Sequence, residues 1–234
     1  MRTLKFILRW SWRAILLALI ALVAVQFWFL SHIWYWADHN PEDTAFMRSR
    51  LSVIRADEPG VRLAHRWVSY GRISRHLKQA VVAAEDANFT IHSGFDWDAL
   101  RKAHERNVKE GEIVVGASTI TQQLAKTLFL PPSRTWWRKA QEAVITVMLE
   151  AALTKRRILE IYLNVAEWGD GVYGAEAAAR YHYGVPASAL TPEQAARLAA
   201  MLPSPRSYTP RSDTLYLRER TSDILSHMHH ARVP

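Results

Sequence analysis

The 234-residue sequence contains no cysteine. A disulfide framework, a zinc–thiolate site and a cysteine nucleophile are thereby excluded, and an oxidising compartment is permitted without being required. There is no acidic residue before Asp38 and no charged residue of either sign from Ala14 to Trp36. Strand-like alternation is scarce, with Ile113-Val114-Val115 and the stretch around Trp67 as the only short candidates. Internal repeats, low-complexity tracts and a dedicated metal-ligand constellation are also lacking. Disorder is excluded by a hydrophobic content of 49% against 22% charged residues, enough apolar surface to offset the ordering entropy.

What is present is unevenly distributed. Thirty basic residues face 22 acidic ones, a net charge of +8. Arg2, Lys5, Arg9 and Arg13 lie ahead of the uncharged stretch, and without them the excess is only +4. Trp10, Trp12, Trp28, Trp34 and Trp36 are five of the ten tryptophans. The 23 residues from Ala14 to Trp36 reach roughly 34 Å as a helix, enough to cross a hydrocarbon core. A cleaved signal peptide would have a shorter apolar run and a small-residue cleavage site, whereas this one ends in His-Ile-Trp-Tyr-Trp. The segment reads as an uncleaved anchor with interfacial aromatics. The basic residues before it predict a cytoplasmic N-terminus and place everything after Asp38 across the membrane. The expected organisation is a cytoplasmic tail (1–13), a transmembrane helix (14–36), a linker or membrane-proximal lobe (37–66) and a catalytic domain (67–234). In the lobe Arg48, Arg50, Arg55, Arg62 and Arg66 alternate with apolar residues, as either a face against anionic headgroups or an ordinary solvated one.

Beyond Ser74 the pattern is helical. Leu77, Val81, Glu85 and Phe89 keep an i, i+4 stripe, a longer amphipathic run covers Lys139 to Asn164, and Thr191-Pro-Glu-Gln is a helix start. The fold class expected is mainly α.

Three polar clusters carry potential chemistry. In Glu85-Asp86-x-x-Phe89-x-x-His92, Glu85 shares the apolar stripe, where desolvation would raise its pKa toward that of a usable base. Taken alone it reads first as a structural carboxylate held by a local hydrogen bond, with Asp86 and His92 as end caps. Gly116-Ala-Ser118-Thr119-Ile-Thr-Gln-Gln123-Leu-Ala-Lys126 opens a helix whose free N–H groups suit an anion, although Thr119 and Gln122 also form a simple capping box. Arg138-Lys139-x-x-Glu142 is either an i, i+4 pair or part of a charged site. Glu150, further along, is expected to pair with Lys155 or Arg156. Gly169-x-Gly171-x-x-Gly174 matches the dinucleotide fingerprint by letter. It lacks the preceding strand, since residues 157–164 read as a helix, so it is taken as a tightly packed or ligand-approaching loop.

In their order and spacing these clusters, together with Ile158-Leu-Glu-Ile-Tyr-Leu-Asn-Val-Ala-Glu-Trp-Gly-Asp-Gly-Val-Tyr173 and the Leu190–Pro210 stretch, resemble the five motifs of the peptidoglycan glycosyltransferases, glycosyltransferase family 51. The likeness runs from about Trp67 to Pro210. One anchor, with no room for a transpeptidase domain, resembles the monofunctional branch. Ala117 and Thr127 depart from the family's usual Gly and Asn. The resemblance implies a lysozyme-like, mainly α-helical domain with a small membrane-facing lobe. It implies polymerisation of the lipid-linked disaccharide-pentapeptide lipid II into glycan strands at the cell inner membrane, with the catalytic domain periplasmic.

By the same resemblance Glu85 is the general base and Glu142 the second essential carboxylate. Asp86, Phe89, His92, Ser118, Thr119, Gln123, Lys126, Arg138 and Lys139 are substrate-binding positions. No cofactor is required, Mg²⁺ is optional and bound through the substrate diphosphate, and no residue is assigned as a metal ligand. The implied partners are lipid II, the growing lipid-linked glycan, the membrane and other cell-wall synthesis or division proteins, with no nucleic acid. A membrane-anchored lytic transglycosylase or muramidase is the enzymatic rival, but hydrolases protonate a sugar leaving group and have no need of the cluster of Lys126, Arg138 and Lys139. A non-catalytic scaffold is the other, and candidates at all five motifs speak against it.

Overall fold

The computed structural model describes residues 2–111, 116, 118–133 and 135–234, with side chains from residue 10 onward. The Ile113–Val115 strand candidate and Ala117 lie outside these residues.

Helix α1 runs unbroken over Arg2–Tyr35, so the basic tail continues the anchor helix. Its stretch from Trp10 to Tyr35 is long and apolar enough to cross a membrane and fits a single-pass anchor. From Trp10 onward most of its side chains are exposed, but Phe29 and Ile33 are buried against the domain that follows. The 37–66 region is not a plain linker. Thr44 accepts a hydrogen bond from Met47 N at 3.1 Å and starts α2, Ala45–Asp57, and Ala64–His65 forms β1 just ahead of Trp67.

Eight further α-helices follow among the described residues: α3 (Arg75–Glu85), α4 (Trp97–Glu110), α5 (Ile120–Phe129), α6 (Trp136–Ala152), α7 (Lys155–Val165), α8 (Ala175–Tyr183), α9 (Pro192–Met201) and α10 (Leu215–His227). The fold is mainly α, a lysozyme-like helical domain behind one apolar N-terminal helix. Two expected helices differ from the sequence pattern. The Lys139–Asn164 run is two helices, because Leu153 leaves the helical conformation and the Thr154 side chain caps α7 on Arg157 N. The Leu77–Phe89 stripe is cut after Glu85, where Asp86 leaves the helical conformation and caps α3. Phe89 is nevertheless fully buried, from the turn beyond.

The core has two packed groups. Helix α3 lies on α9 and α10, and the alanines of α9 (Ala195, Ala196, Ala199, Ala200) permit close approach because they carry almost no side chain. Helices α5, α6 and α7 pack through Ile120, Leu124, Ile145, Leu149, Ile158 and Ile161, each fully buried. Each such side chain contributes roughly 1.5–3 kcal/mol of burial energy.

A small sheet closes one side in the order β1-β3-β2, with β2 at Glu167–Gly169 and β3 at Val172–Tyr173. β1 pairs parallel to β3, and β2 antiparallel. The glycine-rich segment is therefore this hairpin and the entry to α8, directly preceded by a helix, as expected of a non-nucleotide loop. Gly174 has φ +84°, and a Cβ there would lie 2.6 Å from Asn164 O. Asn164 is itself buried, and its amide accepts from Val68 N at 2.9 Å and donates to Val68 O at 3.0 Å, which ties the lobe connection to α7.

Candidate active site

Glu85 is the last residue of α3, and its side chain is only 12% exposed. One carboxylate oxygen, Oε2, accepts from Gln123 Nε2 at 2.9 Å. The other, Oε1, is buried without a hydrogen bond among the described residues, 3.8 Å from Arg220 Nη2. Burial pushes the Glu85 carboxyl above the usual carboxylate range and Asp86 adds to the rise; the Gln123 bond, Arg220 and Lys126 oppose it. The carboxylate is thus desolvated, hydrogen-bonded through one oxygen and within ion-pair range of Arg220 through the other.

Asp86 has a different role. Its Oδ1 meets His92 Nε2 at 2.8 Å and its Oδ2 accepts from Ile120 N at 3.0 Å, at the first turn of α5. Thr119 forms the expected capping box with Gln122 and also donates to Gly94 O at 2.7 Å. Phe89 is fully buried, with Lys155 Nζ over its ring at 4.5 Å. The resemblance implies substrate contact by Asp86, Phe89, His92 and Thr119. Here all four are largely buried and make contacts within the fold that tie α5 to α3, while Asp86 and Thr119 also line the cleft beside Glu85. Gly94, at φ +88°, lies where a Cβ would be 2.8 Å from Thr146 Cγ2, and this lets the 86–96 turn approach α6.

Ser118 is exposed beside Glu85, and both line a cleft of ≈ 390 Å³ together with Asn88, Lys102 and Arg106. Lys126, Arg138 and Lys139 are not part of that cleft. They surround Glu142, whose buried carboxylate meets Arg138 Nη1 at 3.2 Å and pairs closely with Lys139 Nζ. Arg138 Nε is buried without a hydrogen-bond partner among the described residues, and burial lowers the Lys126 pKa, a shift that Glu142 opposes and Arg138 and Lys139 reinforce. Among the described residues Lys126 has no ion pair, so three cations share one carboxylate. That surplus of positive charge, in a partly desolvated setting, has the electrostatic character that suits an anion.

The sequence pattern that defines the transglycosylase family matches residues 54–229. The chain is 56% identical over 223 residues to a "Biosynthetic peptidoglycan transglycosylase" of Methylobacillus flagellatus, covering 95% of this chain and 97% of that one. Proteins of the same name from Nitrosospira multiformis and Azoarcus sp. are 53% identical over 229 residues and 54% over 231. These cover 98% and 99% of this chain and all of each relative. The chain belongs to the transglycosylase family. The resemblance drawn from the five motifs is borne out, and the protein is an enzyme that transfers glycosyl groups.

Two residues of this transglycosylase site escaped the motif reading. Tyr162 lies inside the fourth motif and donates its hydroxyl to Gln123 Oε1 at 3.0 Å, which orients the amide toward Glu85. Its i, i+4 spacing from Ile158 was the available signal, and it reads as core. Arg220 comes from α10, beyond Pro210 and outside the motifs, and is held by Ala84 O at 3.1 Å. Nothing local distinguishes it from a surface arginine. Thr127 donates to Gln123 O at 2.8 Å, so a side chain shorter than Asn is satisfied there. Glu150 takes Lys155 at 2.7 Å as its partner and also accepts from Thr121 Oγ1.

Proposed function

We propose that this transglycosylase polymerises lipid II into linear glycan strands, with Glu85 as the base and Lys126, Arg138 and Lys139 at the diphosphate of the donor. The observation that carries this reading is the position of α5. Its Gln123 holds the buried Glu85 carboxylate, while its Lys126, one turn on, faces the Arg138–Lys139–Glu142 cluster.

In the reaction the acceptor's GlcNAc 4-hydroxyl oxygen attacks C1 of the donor MurNAc and passes its proton to Glu85. The bond from C1 to the diphosphate oxygen breaks with its electron pair on that oxygen, and attack from the opposite face converts the α linkage to β. A base with a raised pKa takes that proton near neutral pH. The developing charge on the polyprenyl diphosphate is met by the three cations, and preorganised charges in a partly dry site are effective at this task. Glu142, engaged by Arg138 and Lys139, keeps two of them in place.

The donor set does not fit a protein-held metal. Both Glu142 oxygens are occupied by cations, both Asp86 oxygens are bonded, and no three metal-ligating side chains cluster among the described residues. Mg²⁺, optional for this reaction, would be held through the diphosphate, and no step is assigned to it. With the basic tail inside, the anchor places the domain on the periplasmic face of the inner membrane, beside its lipid substrate. Other cell-wall synthesis or division proteins are natural partners there.

The test is to incubate the purified protein with lipid II and, separately, with mature peptidoglycan. Polymer in the first supports the reading. Soluble muropeptides in the second, with no polymer in the first, would replace it with a lytic activity.

A further inference from the structure

Gln26 is the one polar residue between Arg13 and Ser31. It lies nine residues before the end of α1, about 14 Å along the helix axis and so within an apolar layer of roughly 30 Å. A primary amide in hydrocarbon is costly unless its donor and acceptor are both engaged. Here they are. Gln26 Nε2 donates to Gln141 Oε1 at 3.0 Å, and Gln141 Nε2 donates back to Gln26 Oε1 at 2.9 Å. Gln141 stands on α6 next to Glu142 and three residues after Arg138.

The contact continues along the interface. Phe29 and Trp36 pack on Phe129 at the end of α5, each with ring centroids 5.1 Å apart, and Trp36 O accepts from Arg157 Nε at 2.8 Å. The anchor therefore docks where α5, α6 and α7 meet, with Gln141 as its hydrogen-bonded contact on α6. The first turn of α6 presents the stacked pair Trp136 and Trp137, each 69% exposed. Aromatic packing is tolerant of sliding and rotation, whereas a reciprocal amide pair satisfies both groups at one register only.

From these contacts we infer that the Gln26–Gln141 pair is an intramembrane pin. It sets the register of the anchor on α6, and thereby the depth and orientation at which Arg138, Lys139 and Glu142 meet the diphosphate of a lipid. Gln26 and Gln141 are positioning residues, and the anchor is a working wall of the diphosphate subsite as well as a tether. This rests on the lipid-diphosphate reading of the site.

The absence of cysteine allows a direct test on the full chain in lipid nanodiscs. Gln26→Cys with Gln141→Cys is treated with dibromobimane, which fluoresces fully only after joining two adjacent thiols. Ala24→Cys with Gln141→Cys, displaced to the far side of α1, is the control. The first pair is expected to become fluorescent and the control to stay dark. Equal labelling of both would overturn the inference.

Kinetics with lipid II then separate a pin from a passive contact. Gln26→Leu is expected to raise KM about three- to ten-fold with kcat within two-fold, since it strands the Gln141 amide. Gln26→Leu with Gln141→Leu removes both amides and should recover most of the loss. An unchanged KM in the single variant, or a double variant no better than the single, would also overturn it. Failure of the wild-type chain to polymerise lipid II would instead sink the functional reading, and the cross-link would still report whether the helices meet.

Discussion

The Gln123 amide stands between Tyr162 and Glu85, accepting from the tyrosine hydroxyl at 3.0 Å and donating to the carboxylate at 2.9 Å. Helices α7, α5 and α3 are thus linked by one chain of side-chain hydrogen bonds that ends on the proposed base. Burial holds the Tyr162 hydroxyl pKa well above its usual value, so it remains a donor across the working pH range. Tyr162→Phe should leave the fold intact and lower kcat/KM about three- to ten-fold, the loss expected when one buried orienting hydrogen bond is removed. Steady-state polymerisation of lipid II checks it, and full activity would show that Gln123 needs no orienting partner.

Arg220 opposes the rise in the Glu85 pKa caused by burial. Without its charge the carboxyl should titrate higher still. Arg220→Ala is therefore expected to shift the acid limb of the pH–rate profile upward and to lower the rate most at the acid end. Arg220→Lys should restore part of the shift. A profile that falls uniformly at every pH would assign Arg220 to packing alone.

The same burial has a stability consequence. A carboxyl whose pKa is higher in the folded state than in the unfolded one favours folding when protonated. That contribution is complete below the unfolded pKa and is lost as pH rises through the folded pKa. At neutral pH the Glu85 charge therefore weighs against the fold. Glu85→Gln should abolish polymerisation and melt at or above the wild-type temperature at pH 7, with the difference shrinking as pH falls toward the usual carboxylate range. Thermal unfolding at several pH values measures it, and a variant less stable at pH 7 would contradict the assignment of a desolvated base.

Asp86 should behave in the opposite way. Its two oxygens join His92 to the first turn of α5, and its side chain is 2% exposed. Asp86→Ala leaves Ile120 N and His92 without their buried acceptor, a loss of about 1–3 kcal/mol. A drop of several degrees in Tm, with activity falling in step with the folded fraction, is the expected result. Loss of activity at full stability would return Asp86 to direct chemistry.

Much of this was legible residue by residue. Helix starts at Thr119 and Thr191 follow from local capping chemistry, and both capping boxes are present. The glycine-rich loop was separable from a nucleotide site because the preceding residues have helical periodicity, and α7 occupies them. The pairing of Arg138 with Glu142 follows from helix geometry alone. The break at Thr154 was not legible, because the apolar pattern passes through it in phase. Phe89 illustrates the same limit: it keeps the helical stripe in sequence but reaches the core from a turn.

By itself, then, the sequence determined the anchor, the mainly α class, the family and the identity of the charged residues that face one another within a helix. Each of these depends on contacts between residues a few positions apart, or on composition summed over a segment, and such information is local. Only the tertiary structure decided which of these side chains have their hydrogen-bonding capacity filled within the fold and which do not. It separated Glu85, with an oxygen left unbonded, from Asp86, with both engaged. It brought Arg220 of α10 to α3, and Gln26 of the anchor to Gln141 beside the cation cluster. Those assignments come from the docking of helices far apart in the chain, and hydrogen-bond saturation and desolvation are properties of that packing.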